Sequence, residues 1–446
     1  MVTNLFGHSV RSELLVLSVA EALLCFAAFT LILGVGLPHG SMADVAAGLI
    51  LAGTLAVCTS FAVAATGLYH PSNSLRAARL IAGATLGGLL LAVVAPLGQR
   101  LLPHAPGPAA GMSVPQLVIA FISAVLLTRA VFFLALRSGL LRLRIVLLPG
   151  SGTNRLREAL AKDPFYEVLD RIPERLQAVA QPVLRRWLGI GPLLAVVTDA
   201  PLTLPEAERA RLRSLRIPLW STARFQERAL GRIDLDNLPA EWAAAQAARR
   251  FRASDAIRRA MDLALAALLI TVTLPVIVMT AIAIRLESPG PILYRQQRVG
   301  LHGRVFTLFK FRSMRADAER AGAVWASQND PRVTRVGRFI RRFRIDEIPQ
   351  VLNVLRGEMA FVGPRPERPE FVARLAAAIP HYEARALVKP GITGWAQVNY
   401  PYGASIEDAR MKLAYDLYYV GRRSLFLDLV ILVATVRVVL FQEGSR

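Results

Sequence analysis

Four long apolar runs fill the first third of the chain, at about Leu14–Leu37, Val45–Leu68, Leu80–Leu97 and Val114–Leu136. Each approaches the ~20 residues a helix needs to cross a hydrocarbon core. They predict a bundle of four transmembrane helices over residues 1–140, and the length and number of the runs argue against a cleaved signal peptide. Arg11 precedes the first run, Arg76 and Arg79 lie between the second and third, and Arg137, Arg142 and Arg144 follow the fourth. The connection Pro38–Asp44 has no Lys or Arg and the one near Arg100–Pro115 has a single Arg, so the positive-inside rule puts both ends of the bundle in the cytoplasm. Glu21 and Arg129 fall inside the first and fourth runs, where a charge is costly; the reading preferred here is a structural pair rather than a transport pathway.

The pattern changes after Arg144. Short apolar runs at Ile145–Leu148, Tyr166–Ile172, Leu193–Thr198 and Ile217–Trp220 alternate with helical stretches, which predicts a small Rossmann-like α/β domain with a parallel sheet over 141–248. Pro149-Gly-Ser-Gly152 opens its first helix and Asp170 lies about 20 residues on, as in half of a dinucleotide fingerprint. The third glycine is replaced by Arg155, so a structural or regulatory module is preferred over nucleotide binding.

A fifth apolar run, Leu263–Ile284, has basic residues on both sides: Arg249, Arg250, Arg252, Arg258 and Arg259 before it, Arg285, Arg295 and Arg298 after it. Both ends therefore prefer the cytoplasm. Pro275, near the middle, removes a backbone donor and bends or breaks a helix. A re-entrant helix over about 257–286, kinked at Pro275, satisfies both observations; a plain fifth span would place the rest of the chain outside the cell. The last run, Leu425–Leu440, is interrupted by Asp428 and Arg437 and reads as a helix lying on the membrane.

Composition explains why both patterns coexist. The 446 residues are 54% hydrophobic, yet carry 53 Lys and Arg against 32 Asp and Glu, a net charge of +21. Residues 249–446 hold 31 of those cations against 17 acids. This excludes disorder, a simple secreted enzyme and, with charge so segregated, a polytopic transporter. A nucleic-acid binder would interleave basic residues with aromatics on a soluble domain, whereas here many flank membrane segments, as anionic-lipid contact requires. The only cysteines, Cys25 and Cys58, lie in apolar runs and offer neither a disulfide framework nor a metal site.

The region Glu287–Val420 is dense in motifs: Ser288-Pro-Gly-Pro291, Tyr294-Arg-Gln-Gln-Arg-Val-Gly300, Lys310-Phe-Arg-Ser-Met314, Arg341-Arg-Phe-Arg-Ile-Asp-Glu-Ile-Pro-Gln350, Asn353-Val-Leu-Arg-Gly357, Val362-Gly-Pro-Arg-Pro366, Lys389-Pro-Gly-Ile-Thr-Gly-Trp-Ala-Gln-Val-Asn399 and Tyr415-Asp-Leu-Tyr-Tyr-Val420. Arg and Lys beside glycine and proline turns suit phosphate capture. Among them stands the carboxylate pair Asp346-Glu347. One carboxylate can attack phosphorus to give an acyl phosphate, and its neighbour can hold Mg²⁺ against phosphate oxygens.

The order and spacing of these motifs, from Arg258 to about Val420, resemble the bacterial sugar transferase family, the polyprenyl-phosphate hexose-1-phosphate transferases that begin surface-glycan or exopolysaccharide assembly. The bundle and middle domain resemble its long-form members by architecture. The resemblance implies a catalytic domain over 249–446 in which Asp346 attacks the β-phosphate of a UDP-sugar, releases UMP and carries a phosphosugar that undecaprenyl phosphate then takes. It implies that Glu347 holds Mg²⁺, that Lys310, Arg312, Arg341 and Arg365 bind phosphates or nucleotide, that Asp416 lies near the active site, and that Pro275 breaks the re-entrant helix. It further implies residence in the bacterial inner membrane, among its lipids, with the catalytic domain on the cytoplasmic face. Arg258 stands where Lys is frequent, Ile345 where Leu is commoner, and Arg344 where a small Ser is usual, beside the dyad. Monomer or homodimer, the sugar and the glycan pathway are left open. The competing reading is a non-catalytic scaffold of polysaccharide assembly, against which the intact Asp346, Glu347, Lys310 and Arg365 argue. The histidines, His302 and His381 among them, lack metal-ligand spacing. Trp395, Tyr418 and Tyr419 suit either stacking on uracil or packing.

Overall fold

A computed structural model describes residues 2–5, 8–35, 41–69, 77–102, 114–161, 163, 165–171, 193–199, 204–215, 217–248, 252–315, 332–401, 403 and 405–441. Arg76, Ile172, Arg249 and Arg250 lie outside the described residues. The chain divides into two compact units, Met1–Ala229 and Leu230–Arg446.

The first unit opens with a short antiparallel ladder, β1 (Val2–Leu5) with β2 (His8–Arg11). Four helices follow: α1 (Ser12–Ile32), α2 (Met42–Ala65), α3 (Ala77–Leu101) and α4 (Val114–Arg137). Each is long and apolar enough to cross a membrane. Helix α1 packs on α2 and α4, and α3 on α2 and α4. Phe29, Leu51, Leu55, Leu91, Leu117 and Phe121 fill the centre, while Leu31, Val57, Ile81 and Leu134 face outward, so the surface is apolar as well as the core, as suits contact with lipid. Ser41 caps α2 in a reciprocal capping box with Asp44. The buried Glu21 and Arg129 meet at 3.0 Å, with the guanidinium over the Tyr69 ring.

The same unit continues into a parallel sheet of order β4-β3-β5-β6, built from β3 (Leu143–Leu147), β4 (Tyr166–Leu169), β5 (Ala195–Thr198) and β6 (Leu219–Ser221). The register pairs Leu143 with Tyr166, Ile145 with Ala195 and Val197 with Trp220. Helix α5 (Ser151–Leu160) starts at the glycine turn after β3. Apart from Arg144, which pairs with Glu167 of β4, the central strands are apolar and buried, as strands covered on both faces are.

Residues 230–248, expected to belong to the middle domain, group with the second unit. Ile233 donates to the Ala414 carbonyl, Gly231 accepts from the Trp395 indole, and Leu235 and Trp242 pack against Leu413, Leu417 and Leu375. The long helix Arg252–Glu287 carries the fifth apolar run, continuous through Pro275. Just before the proline, the Thr271 and Thr273 hydroxyls donate to the Ala267 and Leu269 carbonyls one turn back, a bond pattern that bends helices. Its midsection is bare: Val272 is 68% and Met279 71% exposed.

Both ends of this helix are tied to the second unit. At the first, Arg258 pairs with the buried Asp428 at 2.7 Å, Arg259 donates to the carbonyls of Val354 and Leu355, and Asp262 accepts the Phe361 amide. At the second, Glu287 accepts the amides of Arg335 and Val336. The hairpin β7 (Leu293–Val299) and β8 (Val305–Phe311) follows, then helix Arg335–Arg342 and the parallel pair β9 (Ala360–Val362) and β10 (Gly391–Thr393). Helices Ile406–Arg422 and Leu425–Leu440 close the unit. The charges that interrupt the last helix turn inward: Asp428 takes Arg258 and the Tyr419 hydroxyl, and Arg437 donates to the Val398 carbonyl.

Candidate active site

The carboxylate pair sits on a 3₁₀ turn, Ile345–Gln350. Thr334 caps the preceding helix by accepting the Gly337 amide at 2.8 Å. Arg344 then reverses the chain in a left-handed conformation, φ 58° and ψ 17°, a region that costs an L-residue about 1–2 kcal/mol. The turn packs on β8, and Asn353 fixes it there: its amide accepts from Phe309 N–H and donates to the Thr307 carbonyl and Glu358. Asp346 and Glu347 end up 7% and 8% exposed.

The two carboxylates are treated differently. Glu347 Oε1 accepts from Lys310 Nζ and from Arg365 Nη2, each at 2.9 Å, and Arg344 lies 3.7 Å from Oε2. Burial works to raise its carboxyl, but Arg365, Lys310 and Arg344 outweigh it and hold Glu347 well below the usual carboxylate range. Asp346 has no hydrogen bond or ion pair among the described residues. Burial pushes its carboxyl up, helped by Glu347 and opposed by Lys310, Arg341 and Arg344. Lys310 is pulled down by its own burial, against the attraction of Glu347.

Lys310 reaches the dyad from β8, and Arg365 from the Gly-Pro-Arg-Pro turn after β9. That turn is held by backbone packing. A Cβ on Gly363 would sit 2.3 Å from the Lys389 carbonyl, and one on Gly391 2.1 Å from the Gly363 amide. The glycines therefore let two loops touch and are spent on the fold. Arg298 of β7 donates to the Pro366 carbonyl at 2.9 Å and lies 3.5 Å from Glu367.

Arg341, Arg312 and Asp416 line one cavity with the dyad but direct their hydrogen bonds elsewhere. Arg341 Nε donates to Ser313 Oγ at 2.8 Å, and its charge bears on Asp346. Arg312 directs its hydrogen bonds to the end of the long helix: the carbonyls of Ile284, Ser288 and Pro289, and Ser288 Oγ. Asp416 is buried against Arg385 at 2.8 Å, and its carboxyl is pushed up to about 6 by burial, against Arg385. Trp395 stacks on Tyr418, while the Tyr419 hydroxyl bonds Asp428. His302 and His381 occupy left-handed turn positions. Arg385 was not singled out from the sequence, and Arg298 only as a charge flanking the fifth apolar run; their bonds to the Gly-Pro-Arg-Pro turn cross 20 and 68 residues.

A cavity of about 1830 Å³ opens over the dyad. One wall is apolar, from Leu269, Ile270, Leu274 and Ile277 of the long helix with Val438 and Val439; the other carries Lys310, Arg341, Arg344, Asp346, Glu347 and Arg365. A buried carboxylate left without partners, beside cations able to hold an anion, can act as a nucleophile toward a phosphoryl group.

Comparison with known proteins identifies relatives of this chain. The bacterial sugar transferase family model matches residues 253–442. The UDP-N-acetylgalactosamine-undecaprenyl-phosphate N-acetylgalactosaminephosphotransferase of Aeromonas hydrophila is 42% identical over 237 residues, 53% of this chain and 56% of that protein. The undecaprenyl-phosphate glucose phosphotransferase of Komagataeibacter xylinus is 44% identical over 42% of this chain and 36% of its own length. The exopolysaccharide production protein PSS of Rhizobium leguminosarum bv. phaseoli is 39% identical over 40% of this chain and 93% of its own length. The chain thus spans 56% and 36% of the first two relatives. It belongs to the bacterial sugar transferase family, and it is a membrane protein.

Proposed function

We propose that the chain transfers a sugar-1-phosphate from a UDP-sugar to undecaprenyl phosphate. The observation that carries this reading is the unpartnered Asp346 carboxylate beside the cation-held Glu347, in a cavity whose other wall is an apolar helix. An Asp346 oxygen attacks the β-phosphorus; the bond to the bridging oxygen breaks, and that oxygen leaves on UMP. The phosphosugar stays on Asp346 as an acyl phosphate. An oxygen of undecaprenyl phosphate then attacks the same phosphorus and displaces the carboxylate, giving a diphosphate-linked lipid sugar. Lys310, Arg365 and Arg341 hold the charge of the transferred group. The relatives' names, which pair undecaprenyl phosphate with UDP-N-acetylgalactosamine or glucose, support this substrate class.

Glu347 would hold Mg²⁺ arriving with a diphosphate: Lys310 and Arg365 both bond Oε1, while Oε2 has Arg344 at 3.7 Å, and this ion commonly takes one or two carboxylates and completes its shell with substrate oxygens. When bound, Mg²⁺ supplies positive charge against the diphosphate. Arg312, whose bonds close the end of the long helix, shapes the phosphate site from behind it in this reading.

The long helix, in the same reading, is re-entrant. Both ends are anchored on the second unit while its apolar midsection is exposed, and Pro275 with the two threonine hydroxyls provides the bend. Basic residues at both ends support a cytoplasmic catalytic unit on the bacterial inner membrane. The Rossmann-like character of the middle sheet rests on its parallel order and the glycine turn after β3. Purified protein with a panel of UDP-sugars and Mg²⁺ is expected to release UMP before any acceptor is added. Failure with every sugar overturns the reaction. A C-terminal topology reporter is expected in the cytoplasm, and a periplasmic signal would sink the re-entrant helix.

A further inference from the structure

Arg385 is buried, with its side chain 12% exposed, and its guanidinium is fully engaged on one side. It donates to the Tyr382 hydroxyl at 2.7 Å through Nη1 and, through Nη2, to Asp416 Oδ2 at 2.8 Å and the Arg365 carbonyl at 2.9 Å. Its guanidinium also lies over the Tyr382 ring, 5.2 Å from Cζ to the centroid. The side chain therefore bridges three parts of the second unit: the turn Tyr382–Leu387, the helix Ile406–Arg422 through Asp416, and the Gly-Pro-Arg-Pro turn.

The third contact matters most. Arg365 lies between Pro364 and Pro366, whose rings restrict the backbone and remove its donors. Its carbonyl accepts Arg385, the next carbonyl accepts Arg298, and its own guanidinium meets Glu347. A buried ion pair contributes little net stability against its desolvation cost, whereas it does fix geometry. We infer that Arg385 is a positioning residue: anchored by Asp416, it holds the Arg365 backbone so that the Arg365 guanidinium meets Glu347 and the incoming diphosphate. This rests on the transferase reading above, and it assigns Asp416 the task of holding Arg385.

The test uses full-length protein in nanodiscs, with UMP release from a UDP-sugar and, separately, calorimetric binding of inorganic diphosphate. Arg385→Lys keeps a charge for Asp416 but cannot fork to both acceptors, which limits the risk of misfolding; its thermal unfolding midpoint is compared with wild type. It is expected to raise KM about tenfold, with kcat changed less, as a displaced binding group does. Arg365→Lys should do the same, and the double variant should be no worse than Arg365→Lys alone, because residues acting through one another are not additive. Unchanged KM in Arg385→Lys, or full additivity in the double variant, overturns the proposal. If wild type releases no UMP from any UDP-sugar, the transferase reading fails, while the diphosphate arm still decides the clamp: equal, non-additive losses support it and an unaffected Arg385→Lys removes it.

Discussion

Two aspartates, one in each unit, stand beside turns rich in glycine or arginine and have opposite fates. Asp199, at the end of β5, is exposed, yet its carboxylate is spent: Oδ2 accepts the Gly152 amide at 2.9 Å at the start of α5. A Cβ on Gly150 or Gly152 would lie 2.4 or 2.7 Å from its oxygens. The glycines of the half fingerprint thus make room for the chain's own anion, at a helix start where an anion is favoured. Asp346 is buried, yet its carboxylate is free among the described residues. Burial ordinarily demands partners and exposure does not. On the proposed function, the reversal separates a carboxylate that holds structure from one kept for chemistry.

That contrast can be broken from either side. The largest effect is expected from Asp346→Asn, which keeps the shape but removes the proposed nucleophile; UMP release should fall about 10³-fold or more, and near-normal release would end the contrast. Lys310→Met removes one of two cations on Glu347 Oε1 and is expected to lower kcat/KM about 10²-fold, measured under the same conditions. Asp416 gives a smaller, pH-dependent effect. Its carboxyl, pushed to about 6, is charged at pH 7–8 and takes up a proton as the pH falls through 6. Arg385, Glu367, Lys412 and Tyr382 surround it electrostatically. KM of the wild type should therefore rise toward pH 5, while Asp416→Asn should show the raised KM at every pH; an unchanged acid limb in the variant would assign that limb to another group. The smallest effect is expected at Asp199: Asp199→Ala should cost about 1 kcal/mol of stability, as loss of a helix-start acceptor does, and leave UMP release unchanged. A loss of activity like that of Lys310→Met would show that Asp199 belongs with the chemistry.

Some of this was legible in the chain. Glu21 and Arg129, charges with no solvent in an apolar run, had to find each other, and they do. The dyad, Lys310 and Arg365 were conspicuous because cations and glycine turns crowd around one carboxylate pair. Arg312 has the same look as Lys310 two residues away and lines the same cavity, but its hydrogen bonds go to helix-end carbonyls. The domain border was also displaced, since 230–248 has no composition of its own and is claimed by the packing of Leu235 and Trp242. Trp395 and Tyr418, suited to a base on paper, stack on each other.

The sequence by itself determined the apolar helices and the parallel sheet, and singled out the carboxylate pair, because hydrophobic period, flanking charge and local motif act over a few turns of chain. Only the tertiary structure decided which cation meets which oxygen: Lys310 and Arg365 on Glu347, Arg385 between Asp416 and the Arg365 carbonyl, Asp199 on the glycine turn. An arginine's role depends on which acceptors lie within about 3 Å of it, and those acceptors, largely backbone carbonyls that every residue carries, leave no mark in the sequence.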